Sequence, residues 1–372
     1  MTPCALKIAE RIRREGPILF EQFMEQALYD PQYGYYMSTV KRIGREGDFF
    51  TSSHLHPVFG RLMGRQIEEM WEVMGRPGLF TVVEMGAGEG LMCGDVLAYL
   101  DRTPMAGSLR YVIVERNPAV RDRQQALLGT MGARVSWTDS LDGLSCFSGC
   151  FFTNELIDAF PVHLIQKQGA LAEVSVGING DSFFETPGPA LDPELEEYFR
   201  VFAPELPDGY RTEANLRARQ WLGRIAGLLD EGFLLTIDYG YPADEYYDAD
   251  RNRGTLMCYY RHEFGEDTFL HVGEQDITAH VNFSALKRWG EEFGLAGVGY
   301  CSQGSFLISA GIDKEIEELA RSSRDYLFEL AKVKRLFMPQ GLGESHKVLV
   351  QCKGEKKAPL RGFSLRNQLK RL

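Results

Sequence analysis

Residues 81–92 read TVVEMGAGEGLM. An apolar run ends at three alternate glycines, Gly86, Gly88 and Gly90, and a second apolar segment, LMCGDVLAYLDR, follows at once. That order spells strand, tight turn and helix, the unit in which a glycine turn lets the backbone approach a nucleotide-like ligand at a helix N-terminus. The third glycine comes one position earlier than in G-x-G-x-x-G, and carboxylates stand where a pyrophosphate would rest. Glu84 precedes the turn and Glu89 lies inside it.

Each of those acids would cost about 1 kcal/mol or more against a nearby phosphate, even with partial screening. A cation would be welcome instead. S-adenosyl-L-methionine has adenosine and no phosphate, and it carries a positive sulfonium and an ammonium group, so it is the expected cofactor. A nicotinamide cofactor is disfavoured by Glu89. The next strand, RYVIVERN, places Glu115 where an acid accepts hydrogen bonds from both ribose hydroxyls. Asp139 and Ser140 follow a third, weaker strand, at a position suited to the adenine amino group or, equally, to a helix cap or turn.

Working outward, a fourth strand and turn (CFFTNELIDAF) and a fifth strand (FLLTIDYG) alternate with helices such as NLRARQWLGRIAGLLDEG. This rhythm predicts an α/β, doubly wound parallel sheet with helices on both faces and a ligand beyond the carboxyl ends of the strands. Before it, PILFEQFMEQALYD and PVFGRLMGRQIEEMWEVM have helical spacing and form a helical preface. Residues 166–211, with alternating LAEVSVGING, read as a small hairpin insertion. Residues 241–302, rich in Tyr, His, Asp and Gly, are too long for a plain connection. KEIEELARSSRDYLFELAKVKRL reads as one helix, HKVLVQC as a last strand, and the basic tail as a solvated, mobile end.

The chain has 372 residues, 44% hydrophobic and 25% charged, the balance of an ordinary globular protein. A net charge of −11 argues against a general nucleic-acid binder, which needs a basic surface. No apolar run approaches the ~20 residues of a membrane span. The N-terminus lacks the apolar core of a signal peptide and is too acidic for a mitochondrial presequence, so a cytoplasmic protein is expected. Seven scattered cysteines without a C-x-x-C pair suit reduced thiols. His54 and His56 have no third ligand at metal spacing, and no metal is expected.

Eight blocks in order, GPILFEQFMEQALYDPQYGYY, GDFFTSSHLHPVFG, VVEMGAGEG, TNELIDAFPV, LLTIDYGYP, GTLMCYYRH, VGEQDITAHVNFSAL and SQGSFL, span nearly the whole chain. Together they resemble the MidA-like S-adenosyl-L-methionine-dependent methyltransferases, a family that includes the mitochondrial protein arginine methyltransferase assisting complex I assembly. The resemblance implies a seven-stranded Rossmann-like methyltransferase fold with a helical N-terminal extension and insertions. It places Gly86, Gly88, Gly90 and Glu115 at the cofactor and maps the family's Asn-Glu pair and aspartate onto Asn154, Glu155 and Asp158. His54 and His56 depart from its pattern, which puts acceptor preference in question.

Domain boundaries follow: a helical N-terminal region and lid over 1–75, the methyltransferase domain over 76–352 with the two insertions as substrate lobe, and a basic tail over 353–372. By family resemblance the reaction is protein arginine methylation; a small-molecule methyltransferase and a cofactor-binding assembly scaffold without turnover remain alternatives. A guanidinium acceptor, always protonated at neutral pH, needs carboxylates to orient it and take its proton. The candidates are Glu155 and Asp158, Asp238 ending the fifth strand, and Gln275 and Asp276 in the long insertion, with Asn154 at the methionine end of the cofactor. Asp48, Thr51 and Ser52 are expected to cover the cofactor as part of a lid. A protein partner follows from the arginine reading, and a homodimer is compatible with the sequence.

Overall fold

A computed structural model describes residues 1–40, 48, 52–354 and 358–372. The chain forms two compact units: residues 1–49, 157–221 and 241–285 make unit 1, and residues 50–156, 222–240 and 286–372 make unit 2. The boundary expected at 75 thus falls near 49. The helix Val58–Val73 belongs to unit 2 because its apolar face, with Phe59, Leu62, Met63, Ile67 and Met70 buried, joins that unit's core.

The sheet of unit 2 is built from β1 (Phe80–Met85), β2 (Leu109–Val114), β3 (Val135–Thr138), β4 (Phe147–Asn154), β5 (Leu229–Tyr241), β6 (Ala296–Ser302) and β7 (His346–Lys353). Their order across the sheet is β6-β7-β5-β4-β1-β2-β3. The first five strands run parallel, as expected, and β7 runs antiparallel to both β5 and β6. The sheet is therefore mixed rather than wholly parallel. From β1 the chain moves outward to β2 and β3, then returns to β4 on β1's other side, so the topological switch point lies between β1 and β4. Met85 pairs with Thr153 there, and the two strand ends present Gly86 and Asn154 together.

Helix Leu91–Leu100, which the glycine turn feeds, packs closely on helix Val58–Val73 because Gly60 and Gly64 lie one turn apart on the contact face. A Cβ on Gly60 would come within 2.3 Å of Asp95 Cβ, and one on Gly64 within 2.8 Å of Tyr99 Cδ1.

The strand β6 lies inside the stretch expected to be insertion. Its sequence, AGVGYCS, is diluted by glycine and half-exposed at its start, as an edge strand can be. The expected single helix after residue 312 is two, Ile312–Ser322 and Tyr326–Phe337, because the polar SSRD segment interrupts the apolar spacing. The tail also differs from expectation. Leu360 and Phe363 are buried, the Gly362 amide donates to Gln66 Oε1, and Asn367 and Gln368 bond to the backbone of Tyr300 on β6. Docked there, the tail covers the outer edge of β6.

Unit 1 holds helices Pro3–Glu15 and Phe20–Tyr29 and two antiparallel sheets. In the larger one the order is Ile18–Leu19, Ala170–Asn179, His163–Gln168, Arg211–Ala214, with Ser182–Ala190 also paired to Ala170–Asn179. The hairpin insertion is thus part of a sheet that begins with N-terminal residues. The smaller sheet places Met257–Tyr260 between Glu263–Gly265 and Asp276–Thr278. Phe20, Phe23, Val162, Leu164, Val176 and Ile277 share the core of this unit. No helix among the described residues is long and apolar enough to cross a membrane.

Candidate active site

In unit 2 the glycines of the turn all adopt left-handed backbone, with φ of 76° at Gly86, 53° at Gly88 and 84° at Gly90. A side chain there is strained by steric clash with the following carbonyl. At Gly86 it would also meet Leu156 Cδ1 at 2.8 Å. The turn is braced from behind: the Gln124 amide donates to Gly88 O at 2.8 Å, and the Trp137 indole N–H donates to Gln124 Oε1 at 3.0 Å. Neither bracing residue carries a sequence signal, since each lies on a helix or strand whose partners only the fold reveals.

The two turn acids are not a pair of bare charges. Glu89 forms an ion pair with Arg123, whose Nη2 lies 3.2 Å from Oε1. Glu84 is buried and accepts the Tyr111 hydroxyl at 2.7 Å. Burial pushes its carboxyl up to about 7, against the smaller lowering effect of that hydrogen bond. The expected negative floor is therefore softer than the sequence suggests: one charge is paired with Arg123, and burial shifts the other toward its neutral form.

Glu115 directly follows β2, with its carboxylate accepting the Asn117 amide at 2.8 Å and facing Gln124 Nε2 at 3.5 Å. Desolvation raises its pKa. Asp139 is exposed and Ser140 Oγ donates to it at 3.1 Å. Ser140 stands at the N-cap position of the short turn Leu141–Gly143, without a side-chain cap bond.

The end of β4 is the most constrained point. Glu155 has φ 52°, a left-handed value that is rare for a residue with a Cβ, and its amide donates to Ile237 O on β5 at 2.8 Å. Glu155 Oε1 accepts from the Ser52 amide at 3.1 Å and from Asn154 Nδ2 at 3.2 Å. Its Oε2 has no hydrogen-bond partner among the described residues. Asn154 Oδ1 is buried, also without a hydrogen-bond partner among the described residues. An orphaned acceptor next to a left-handed glycine turn is what the ammonium of a methionine moiety would satisfy. Ser52, expected in the lid, thus meets Glu155 through its amide, and His346, whose Nε2 lies 3.6 Å from Glu155 Oε1, is a site residue that sequence reasoning missed.

Asp238 plays a different part from the catalytic one expected. It is fully buried, and its two oxygens accept the Leu156 amide at 3.2 Å and the Tyr239 amide at 2.9 Å, so it fixes the turn that carries Glu155. Main-chain donors on both oxygens make this carboxylate part of the scaffold of the turn.

Unit 1 brings together Asp158 and Asp276. Asp276 accepts the Tyr36 hydroxyl at 2.8 Å, and its pKa is pushed up to about 8 by burial first and then by the charge of Asp158. Asp158 is buried on a 3-10 turn, Ile157–Ala159, tied by the Ala279 amide to its own carbonyl at 2.9 Å. Gln275, expected near the chemistry, instead donates to Asp267 O at 3.0 Å and closes a local turn. Asp48, expected on the cofactor, accepts the Tyr35 hydroxyl at 2.8 Å and the Arg261 amide at 2.6 Å, so both its oxygens anchor unit 1. Thr51 lies outside the described residues.

A family model for S-adenosyl-L-methionine-dependent methyltransferases matches residues 62–301. A structure of a COG1565 superfamily member from Burkholderia thailandensis, bound to S-adenosyl-homocysteine, superposes with a TM-score of 0.91 at 32% identity, covering 99% of this chain and 96% of that one. Among named relatives, the mitochondrial protein arginine methyltransferase NDUFAF7 homolog of Drosophila melanogaster is 26% identical, over 97% of this chain and 88% of its own. NDUFAF7 of Bos taurus is 28% identical, over 87% and 77%. Together with a switch point that offers a glycine turn and an unfilled acceptor, these likenesses establish that the chain belongs to the MidA-like family of S-adenosyl-L-methionine-dependent methyltransferases.

Proposed function

We propose that this methyltransferase acts on arginine side chains of a partner protein. The observation that carries the reading is Glu155: a carboxylate at the end of β4, one oxygen held by Ser52 and Asn154, the other left without a partner among the described residues. Strained backbone keeps it in place, and such strain survives only where the surroundings over-determine it. An oxygen so presented can bind a guanidinium N–H and take its proton. The naming of the relatives as protein arginine methyltransferases supports the same acceptor.

The cofactor supplies an electrophilic methyl group on a cationic sulfur. On this reading the Gly86–Gly90 turn receives its methionine half, Asn154 Oδ1 and Glu84 its ammonium, Glu115 the ribose hydroxyls, and Asp139 with Ser140 the adenine edge. Within unit 1, Asp158 and Asp276 form a buried acid pair of the kind that suits a cationic side chain. Positioning does most of the work, since in-line displacement requires the acceptor nitrogen and the methyl group at near contact in a dry site.

Incubation with methyl-tritiated S-adenosyl-L-methionine and a cell extract, followed by acid hydrolysis, tests the reading. Label should appear in methylated arginine. Label confined to metabolites, or to another amino acid, would overturn it.

A further inference from the structure

His346 opens β7 and is paired in register with Tyr239 of β5, whose ring meets the imidazole edge-on at 5.6 Å. The side chains of His346 and Glu155 are only 7% and 10% exposed, with Nε2 3.6 Å from Oε1. That nitrogen is buried and has no hydrogen-bond partner among the described residues. The other ring nitrogen, Nδ1, lies 3.0 Å from the hydroxyl of Ser345, and Ser345 is exposed. A largely buried carboxylate, a buried imidazole and the hydroxyl of an exposed serine therefore adjoin one another in turn.

We propose that His346 is the proton exit of the site: a positioning residue that acts through Glu155, receives the proton the acceptor nitrogen sheds, and passes it toward solvent at Ser345. This rests on the reading of Glu155 as the acid that meets the acceptor. When a nitrogen–carbon bond forms and the sulfur–carbon bond breaks, the acceptor nitrogen must lose one proton for each methyl gained. Glu155 takes it and becomes a neutral carboxylic acid. With Nδ1–H donating to Ser345 Oγ, the lone pair on Nε2 faces Glu155 Oε1. The proton is taken on Oε2, and a half-turn of the carboxyl group, which exchanges its two oxygens, brings it to Nε2 and restores the carboxylate. The imidazolium then loses a proton from Nδ1 on the Ser345 side, where water is at hand. No oxidant, reductant or further reactant is needed.

Other titratable groups surround the pair. Asp238 and Tyr239 lie on the paired strand β5, and Glu344 and Lys347 flank His346 in its own segment. Asp238 accepts two main-chain amides, Lys347 Nζ donates to Glu344 O, and Glu155 presents Oε1 to Nε2.

Two measurements test the proposal, and the first needs no acceptor. In nitrogen NMR of imidazole-labelled protein, His346, assigned by its loss in His346→Gln, should show the tautomer protonated on Nδ1, with the bare Nε2 resonance moved in Glu155→Gln. The opposite tautomer, or an Nε2 resonance indifferent to Glu155→Gln, overturns the relay, even if the wild-type protein methylates arginine. In the second, His346→Gln keeps an uncharged polar side chain near Glu155 and cannot carry a proton onward. It should bind S-adenosylhomocysteine within about twofold of wild type while methyl incorporation into the extract falls about tenfold or more. Added imidazole should restore part of the rate in His346→Ala. Full turnover in His346→Gln assigns the histidine a packing role and ends the proposal. Absence of labelled arginine with wild-type protein would instead count against the acceptor reading, leaving the NMR coupling to decide the proton path.

Discussion

The Leu156 amide donates to Asp238 Oδ2 at 3.2 Å, so a side chain at the end of β5 holds the main chain just beyond Glu155. With the Glu155 amide on Ile237 O, the left-handed turn is gripped by β5 from both its backbone and its aspartate. Asp238→Asn keeps the shape but can offer only one acceptor oxygen. Leaving a buried amide unpaired should cost about 1–3 kcal/mol in urea unfolding, and methylation should fall with it. Unchanged stability with lost activity would instead return Asp238 to the chemical role that its sequence position suggested.

Glu84 makes stability depend on pH in a definite direction. Its folded-state pKa, about 7, lies above the ordinary value of 4.5. The folded protein therefore binds the proton more tightly than the unfolded chain. The associated stability is fully present below about pH 4.5 and is lost as pH rises through about 7, a change on the order of 3 kcal/mol. Glu84→Gln should remove this slope from urea unfolding curves taken between those limits without cofactor. A slope identical to wild type would mean that Glu84 is charged throughout.

Gly86→Ala introduces a Cβ at φ 76° and 2.8 Å from Leu156 Cδ1. Leucine's far end can swing aside, but the backbone cost of about 1–2 kcal/mol cannot be relieved that way. Calorimetry should show weaker S-adenosylhomocysteine binding together with a lower melting temperature. Wild-type affinity would place the cofactor elsewhere.

Glu115→Ala should weaken S-adenosylhomocysteine by about 1–3 kcal/mol, the range for hydrogen bonds to a charged acceptor. Adenine contacts would remain, so binding is reduced rather than abolished. An unaltered Kd would remove Glu115 from the ribose.

Much of this was legible in the sequence because it is local. Strand, glycine turn and helix follow one another along the chain, and Asn154 with Glu155 stands at a strand end that its apolar run announces. The misreadings share a cause: the partner of a polar side chain is set by register between distant strands. Asp238, Gln275 and Asp48 have the residue types of a site, yet each spends its polar atoms on main-chain groups or a neighbouring hydroxyl. Ser52 and His346 reach Glu155 from segments far from it in the chain. β6 escaped notice because glycine dilutes its pattern, and the tail because its few apolar residues, Leu360 and Phe363, matter only once the edge they cover exists.

The antiparallel partner of β5 carries a consequence for synthesis. Tyr239 pairs with His346, so β5 leaves the ribosome about a hundred residues before the strand that completes its hydrogen bonding. Such distant pairing slows folding, because loop closure precedes the contacts that reward it. The nascent polypeptide must wait, its apolar strand edge uncovered, and chaperone occupancy during translation should concentrate on that interval. Glu155 acquires its imidazole neighbour only after about 190 further residues have been added, which keeps the proton path unassembled until β1 to β6 have been made.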